Sequence, residues 1–503
     1  MPKPIHSTKD SRTWVQPDGV GTAFELFGCH AVTEWSQAVS DAVRIKCKSA
    51  DEYGKMDIVE SIPGAAGDVT FTMEAWTQKD ADFLMGLHCP VDVQVHLGEC
   101  SSPSDPTGYT KIRHFYNTAP GEISESPLDF LGEEEYAGVK LTRNFTADDV
   151  IEVLQVAAGR IAVSETQDLL AVDFITTERC EGDCGIGVKS GQWGAFVAAP
   201  SYGAATANVY HTNDFGATWT LCTTDPFADN TAIPSDILVL PGATAPRLIV
   251  FRGNAAVAYN ARCSVSDDWG VTWTEVDMGN GSRYINGAWA YSSGKLWAVG
   301  EDYVYYSTDR GASWTENAIG STGIDFYDIH SVDDQTIYVC GAQNSVYKST
   351  DGGEIWAATT TNPAAGTETL YSIQAASQYR ALVGGEIDAN NDVLWVTEDG
   401  GETWADVDFT GSTAANGRVR RLRVCPRAPG QHIWMIHGAR VGSDRLYRTL
   451  EGGGTSGPYA HGRWERLNLI SVGELNDLAV VSVNQAWAVG DASGGTGVLI
   501  RAA

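Results

Sequence analysis

One eight-residue pattern, Ser/Thr-x-Asp-x-Gly-x-Thr/Ser-Trp, recurs through the second two-thirds of this 503-residue sequence. Its clear copies supply five pairs of an aspartate and a tryptophan, which are Asp214 with Trp219, Asp268 with Trp273, Asp309 with Trp314, Asp351 with Trp356, and Asp399 with Trp404. Consecutive aspartates are between 41 and 54 residues apart. A β-rich repeat of that length predicts the blades of a β-propeller, in which small sheets form a ring.

The residues around each copy, which we call a box, have the pattern of short strands. In the third repeat the apolar segments 296–300 and 303–306 precede the box, and the first of them ends in glycine. Short apolar runs bounded by turn residues indicate strands. With a further strand upstream and one after the box hairpin, each repeat is predicted to form a four-stranded sheet.

The composition of the box predicts a structural role. An aspartate or hydroxyl side chain can accept hydrogen bonds from the backbone N–H groups of its own turn. The glycine permits a positive φ angle, and the tryptophan offers a large apolar plate that can pack between neighbouring blades. We therefore expect the five box aspartates to hold turns together, and we predict no catalytic residue, no bound metal and no cofactor.

The boxes resemble the Asp-box (BNR) repeat, and the phrase W-A-V-G followed by Y-x-S-T-D-x-G-x-x-W is similar to propellers related to the photosystem II assembly and stability factor. The resemblance covers roughly residues 160–503. A decayed sixth box begins at Thr449, with its tryptophan displaced to Trp464, and the tail 475–501 supplies a further blade without a box. Seven blades are expected, with six or eight as alternatives, and a strand within 150–174 is expected to close the ring.

The first 155 residues contain no box and predict a separate antiparallel β-domain. Alternating segments at 42–48, 68–76 and 91–97 indicate strands, and residues 77–85 indicate one helix. The chain is therefore predicted to be mainly β, with a domain at 1–155, a linker with a possible ring-closing strand at 156–190, and the propeller at 191–503.

The layout of residues 20–155 resembles the tail-tube type of structural virion protein from tailed bacteriophages. That resemblance implies self-assembly into stacked rings with an acidic lumen, through which DNA passes without specific binding. It also implies contacts with other virion proteins, assembly in the host cytoplasm, a location in the virion tail, and an outward-facing propeller that could meet a host-surface glycan or protein. The alternatives are a soluble binding or assembly-factor module and a glycan-binding propeller.

The charge and apolar patterning exclude several classes. The sequence has 34 Lys and Arg against 64 Asp and Glu, a net charge of −30, which disfavours binding to duplex DNA or to an anionic membrane. No apolar run is long enough to span a bilayer, and no secretory signal is expected. Most of the ten cysteines are expected to be free thiols, whereas Cys180 with Cys184 and Cys89 with Cys100 could each be thiols or a disulfide.

Sialidase chemistry is the enzymatic alternative because sialidases share Asp-box propellers. Such enzymes need an arginine triad, a tyrosine nucleophile and acidic partners. Pro246-Arg247-Leu248 is a poor match to the early arginine element of that family and is expected to be an ordinary strand start. The run Arg418-Val-Arg420-Arg421-Leu-Arg423 could bind an anionic sugar, although a solvated or ion-paired strand is favoured. We predict that the protein is not an enzyme.

Overall fold

A computed structural model gives the fold of the chain. It describes residues 11–17, 24–26, 32–39, 43–46, 58–62, 66–75, 78–87, 91–98, 109–127, 139–147, 149–154, 156–176, 188–199, 207–227, 233–242, 244–253, 260–279, 284–291, 294–320, 323–359, 368–387, 391–407, 417–425, 432–439, 444–449, 464–467, 473–491 and 496–503. These residues form two compact units, one up to residue 154 and the other from residue 156.

The first unit is an antiparallel sheet with one helix. Its strands are β1 (Ser11–Pro17), β2 (Phe24–Leu26), β3 (Val32–Val39), β4 (Val43–Lys46), β5 (Ile58–Ile62), β6 (Ala66–Ala75), β7 (Val91–Gly98), β8 (Tyr109–Pro127), β9 (Val139–Ala147) and β10 (Asp149–Leu154), and its helix is α1 (Gln78–Gly86). The eight-stranded sheet has the order β2-β1-β7-β8-β9-β6-β3, with β10 paired to β8, and β4 pairs with β5. The predicted helix and the three predicted strands are confirmed.

The helix α1 is held in place by buried leucines and by a hydrogen bond at its C-terminal end. Leu84 and Leu87 are buried, and the guanidinium of Arg143 on β9 donates a hydrogen bond to the carbonyl oxygen of Leu84. The last carbonyls of a helix have no partner within the helix, so this bond satisfies one of them.

The second unit begins with β11 (Ala158–Ile161) and continues with six sheets of four consecutive strands. Blade 1 contains β12 (Asp168–Phe174), β13 (Gly194–Ala199), β14 (Asn208–Thr212) and β15 (Thr220–Leu221); blade 2 contains β16 (Pro234–Leu240), β17 (Arg247–Arg252), β18 (Arg262–Ser266) and β19 (Thr274–Asp277); blade 3 contains β20 (Ile285–Ala290), β21 (Leu296–Gly300), β22 (Tyr303–Ser307) and β23 (Thr315–Ala318).

Three further blades have the same order. Blade 4 contains β24 (Phe326–Ser331), β25 (Ile337–Gly341), β26 (Ser345–Ser349) and β27 (Ala357–Ala358); blade 5 contains β28 (Thr369–Ala375), β29 (Ala381–Ile387), β30 (Asn391–Thr397) and β31 (Ala405–Asp406); blade 6 contains β32 (Gly417–Val424), β33 (Ile433–Ala439), β34 (Arg445–Thr449) and β35 (Trp464–Leu467).

Blade 7 joins the two ends of the second unit. It contains β36 (Leu475–Ser482), β37 (Gln485–Gly490) and β38 (Val498–Ala502), and β11 is its outermost strand, paired with β38 from Ala158↔Ala502 to Ile161↔Leu499. The first strand of each blade contacts the first strand of the next, and β36 contacts β12. The second unit is therefore a closed seven-bladed propeller, as predicted, and the expected closing strand is confirmed.

The propeller includes most of the segment that the sequence assigned to a linker. Both β11 and β12 lie between residues 156 and 190, so the propeller starts before residue 191. The apolar second strands are fully buried, as in β21, β25 and the core of β37, because they lie between neighbouring blades on both faces. The strand predicted to start near Arg247 is confirmed as β17.

Candidate functional site

Each box aspartate accepts several hydrogen bonds from its own turn. In the first box, the carboxylate of Asp214 accepts bonds from the hydroxyl of Thr212 at 2.8 Å, the backbone N–H of Thr218 at 2.9 Å and the hydroxyl of Thr218 at 2.6 Å. These bonds, led by the one from the Thr218 hydroxyl, hold the pKa of Asp214 below its usual value. A carboxylate with this set of partners is a turn-forming group rather than a general acid or base.

The other boxes repeat this geometry. The second, third and fifth aspartates accept the same three bonds, from Ser266 and Thr272, from Ser307 and Ser313, and from Thr397 and Thr403. In the fifth box, burial alone would raise the pKa of Asp399, but the bonds from Thr403 and Thr397 lower it to about 2. All four carboxylates are therefore held ionised across the neutral range.

The box tryptophans pack at the junctions between blades. Trp219 contacts the cluster between blades 7 and 1, where its ring lies 5.9 Å from Phe174 and 5.8 Å from Trp487. The other four, and Trp464 of the decayed box, occupy the equivalent places at the next five junctions: Trp273, Trp314, Trp356, Trp404 and Trp464. Because these rings fill the junctions, they do not form a platform on which a sugar ring could stack.

The fourth box predicts a stabilising substitution. Ile355 stands where the other boxes have threonine or serine, and its side chain is 72% exposed. Asp351 therefore keeps the backbone bonds from Ile355 at 2.9 Å and Glu354 at 3.1 Å, but the seventh box position has no hydroxyl group to donate a further bond. We expect Ile355→Thr to raise the free energy of unfolding by about 0.5–1.5 kcal/mol, measured by denaturant titration. The reverse change, Thr403→Ile, should lower it by a similar amount, and equal stabilities would contradict the prediction.

A β-bulge occurs at the same place in the first strand of all seven blades. In every case the register shifts by one residue against the second strand of the blade. Each bulge has one extra residue, and every one of these residues is partly exposed: Leu170, Ser235, Asn286, Tyr327, Tyr371, Arg420 and Asn476. Bulges redirect side chains. They place these seven side chains around one mouth of the central channel, and we call this set the bulge ring.

Directly after the bulge, the first strands of blades 2, 4, 6 and 7 carry charged side chains that meet in the channel. Arg421 lies 3.1 Å from Asp477 and 4.0 Å from Asp328, measured between nitrogen and oxygen atoms. Arg423 lies 3.4 Å from each of the same two carboxylates. Blades 4 and 7 are not neighbours, so these ion pairs cross the centre of the ring. The ion-paired strand expected for the arginine run is confirmed.

The channel carboxylates also join successive blades. The side chains of Asp477, Asp173 and Asp236 accept backbone N–H bonds from the next blade, at Val172 (3.0 Å), Val239 (2.7 Å) and Ala288 (2.8 Å). Asp328 and Ser372 do the same for blades 5 and 6. The inner edge of a first strand has no neighbouring strand to pair with. Buried backbone N–H groups there need side-chain acceptors.

The channel has little free space. The cavity beside Asp173, Asp236, Asp477 and Arg423 has a volume of about 30 Å³, enough for one or two water molecules and no substrate. Burial and the neighbouring Asp477 raise the pKa of Asp236 to about 7. Burial alone would lower the pKa of Arg421, but the carboxylates of Asp477, Asp328 and Asp236 raise it. At the level of these residues the channel is therefore filled by ion-paired side chains.

The bulge ring is richest in aromatic and basic side chains across blades 4 to 6. The rings of Tyr327 and Tyr371 are 5.5 Å apart, and the guanidinium of Arg418 lies 5.8 Å from the Tyr371 ring centre. Arg420 pairs with Glu474 at 2.7 Å, and Arg418 lies 3.8 Å from the same carboxylate. We call these five residues the tyrosine–arginine patch. All are partly or fully exposed.

Other sequence expectations fall differently within the described part of the chain. Cys222, Cys263, Cys340 and Cys425 are buried free thiols, as expected, whereas Cys89, Cys100, Cys180 and Cys184 lie outside the described residues. No group of metal-binding side chains and no helix able to span a membrane occurs among the described residues. The bulge ring and the channel aspartates were missed, because a first strand such as Leu475–Ser482 has no box to mark its register.

Comparisons with known proteins identify the propeller. Residues 243–455, from before the second strand of blade 2 to beyond the third strand of blade 6, match the model of the DUF6242 beta propeller domain. Among solved structures the chain is similar to YCF48 bound to D1 peptide, at 14% identity over 68% of this chain and 96% of that one, with a TM-score of 0.47.

Two further structures show similar likeness. YCF48 from Cyanidioschyzon merolae is 13% identical over 69% of this chain and 98% of its own, with a TM-score of 0.47. The GH74 xyloglucanase from Xanthomonas campestris is 17% identical over 68% of this chain and 55% of its own, with a TM-score of 0.46. A search among curated proteins found no match. The expected propeller is confirmed, whereas the tail-tube resemblance of residues 20–155 finds no support in these matches and stays a prediction.

Proposed function

We propose that the propeller is a protein-binding module and that the tyrosine–arginine patch is the centre of its binding surface. One observation carries the proposal: three consecutive blades place Tyr327, Tyr371 and Arg420 around the mouth of a channel that is itself filled. Tyrosine and arginine are enriched among the residues that dominate protein–protein binding energy. A filled channel leaves a surface for a partner rather than a chamber for a substrate.

The binding interpretation also accounts for the acidic groups of the propeller. The box aspartates are held by their own turns, and the channel aspartates hold blades together. On this proposal the protein binds without catalysis, needs no cofactor and uses the bulge-ring side of the propeller.

The experiment compares two tyrosines at opposite ends of the first strands. A photoreactive phenylalanine analogue replaces either Tyr327 in the patch or Tyr379, which is 59% exposed in the loop after β28. Illumination in the cells that produce the protein should give one discrete heavier adduct from position 327 and none from position 379. Equal cross-linking from both positions, or none from position 327, would refute the patch.

Substitutions in the patch should then weaken binding to the partner identified in that adduct. We expect Tyr327→Ala and Arg418→Ala each to raise the Kd about 10- to 100-fold in calorimetric titration, as removal of a central contact residue does. Tyr379→Ala is the matched control and should leave the Kd unchanged. All three variants should have the same Tm as the unaltered protein, because all three side chains are partly or fully exposed.

A second candidate function is that of a phage tail-tube subunit, located in the virion tail, that self-assembles through residues 1–155. The observation favouring it is that the first unit is an antiparallel sheet with one helix, the layout that the resemblance implies. Negative-stain microscopy of the purified protein should then show rings or tubes. Monomers at every salt and protein concentration would exclude this candidate and leave the binding proposal intact.

A further inference from the structure

The channel carries an excess of buried negative charge. Four carboxylates, those of Asp173, Asp236, Asp328 and Asp477, project from the first strands, and each residue is less than a tenth exposed. Two guanidiniums face them, and both contact the carboxylates of blades 4 and 7. Among these six groups the carboxylates outnumber the guanidiniums by four to two, in a region from which water is largely excluded.

Asp236 is the carboxylate with the strongest reason to bind a proton. It is 4% exposed, its two oxygens accept the backbone N–H groups of Ile237 and Ala288 at 2.8 Å each, and it lines the same cavity as Asp477. Two carboxylates that share one buried site do not both ionise readily.

The charged and titratable groups near Asp236 come from the first strands of other blades. Blade 1 contributes Asp173, blade 6 Arg421 and Arg423, and blade 7 Asp477. From blade 4, Asp328 contacts the two arginines, and the ring of His330 lies 4.3 Å from that of Trp289, which lines the cavity. The first strand of blade 3 contributes Gly287 and Trp289, and that of blade 5 contributes Ser372 and Gln374, none of which is charged.

We propose that the channel cavity is a proton-binding site in which the facing carboxylates of Asp236 and Asp477 share one proton, and that release of this proton links the stability of the ring to pH. The bond from Ala288 to Asp236 joins blade 3 to blade 2, so the group that titrates is also a link between blades. Burial and Asp477 raise the pKa of Asp236 to about 7.

The sign of the effect follows from linkage. An aspartate in the unfolded chain has a pKa of about 3.9, so between about pH 4 and pH 7 the folded protein binds more protons here than the unfolded chain. The contribution of Asp236 to stability is therefore greatest at low pH and is lost as pH rises towards 7. Carboxylates whose pKa is lowered in the folded protein, such as those of the boxes, have the opposite effect, because their contribution to stability increases as pH rises.

Infrared difference spectroscopy of the whole protein tests the site directly. The unaltered protein should show the band of a protonated carboxylic acid that disappears with a midpoint of about pH 7, which is far above the range of ordinary carboxyl groups. The band should be missing in Asp236→Asn and retained in Glu354→Gln, which alters an exposed carboxylate. Asp477→Asn should lower the midpoint, because it removes the facing charge.

Thermal unfolding gives a second readout. Relative to Asp236→Asn, the Tm of the unaltered protein should fall by about 4 °C between about pH 5 and pH 8, while Glu354→Gln should follow the unaltered protein. No carboxyl band titrating above about pH 5 in the unaltered protein would overturn the proposal, even if a variant failed to fold. Persistence of the band in a folded Asp236→Asn protein would also overturn it.

Discussion

Replacing Arg421 with methionine is expected to lower the free energy of unfolding by about 3–5 kcal/mol, the cost of breaking a buried ion pair by removing one partner. The side chain of Arg421 is 12% exposed and those of Asp328 and Asp477 are 2% exposed, so their carboxylates would face each other with one guanidinium between them. Denaturant titration followed by tryptophan fluorescence would measure the change.

The control for this prediction is an ion pair at the surface. Arg262 pairs with Glu275 with side chains 35% and 28% exposed, and we expect Arg262→Met to cost less than about 1 kcal/mol. The double variant Arg421→Met with Asp477→Asn should recover about 1–3 kcal/mol of the loss, because it removes one of the carboxylates left without compensation. If Arg421→Met and Arg262→Met lowered the free energy of unfolding equally, the channel ion pairs would contribute no more to stability than a surface pair, and the prediction would be wrong.

Proline at Gly159 is expected to lower the free energy of unfolding by about 2–3 kcal/mol and to open the propeller at blade 7. Ala157 and Ala503 exchange both backbone hydrogen bonds, at 3.3 and 3.2 Å. In an antiparallel pair, bonded positions alternate, so the N–H of Gly159 bonds to Arg501 whereas that of Ala158 points away from β38. Proline at position 159 therefore removes a bond from the closing pair.

Ala158→Pro is the matched control, one residue away on the same strand. It removes an N–H that faces outward, and its cost should stay below about 1 kcal/mol. Hydrogen exchange of residues 498–502 should become faster in Gly159→Pro and stay unchanged in Ala158→Pro. Identical exchange in the two variants would show that β11 does not secure the ring.

The repeats carried enough information to predict the propeller, the blade count and the closing strand. A box marks the third and fourth strands of its blade, because the turn between them is formed by residues of the box itself. Asp309 accepts its hydrogen bonds within the turn, and Gly311 supplies the positive φ angle. The boxes therefore mark blade positions even where one has decayed, as the place of Trp464 shows.

The channel could not be predicted from the sequence in the same way. Asp236, Asp328 and Asp477 lie in different repeats, and only the closed ring brings them together. The sequence showed a run of arginines that includes Arg421 and Arg423, but it did not show which groups these two side chains face. The bulges could not be predicted for a related reason, because they depend on how each first strand pairs with the second strand of its blade. The sequence of a strand such as Thr369–Ala375, which contains Tyr371, shows only an ordinary alternation of polar and apolar residues.

The closing strand also constrains how the chain is made. Arg160 in β11 bonds to Thr496, 336 residues further along the chain. During translation β11 leaves the ribosome well before β38 exists, so this strand must wait for its partner while six blades fold in between. Pairing of such distant segments is slow. Before β11 has paired, the β11 strand of a second nascent chain has the same sequence and could pair equally well with β38 of the first chain. A β11 strand supplied by a second copy would complete blade 7 with the same pairing, which is the geometry of a domain swap.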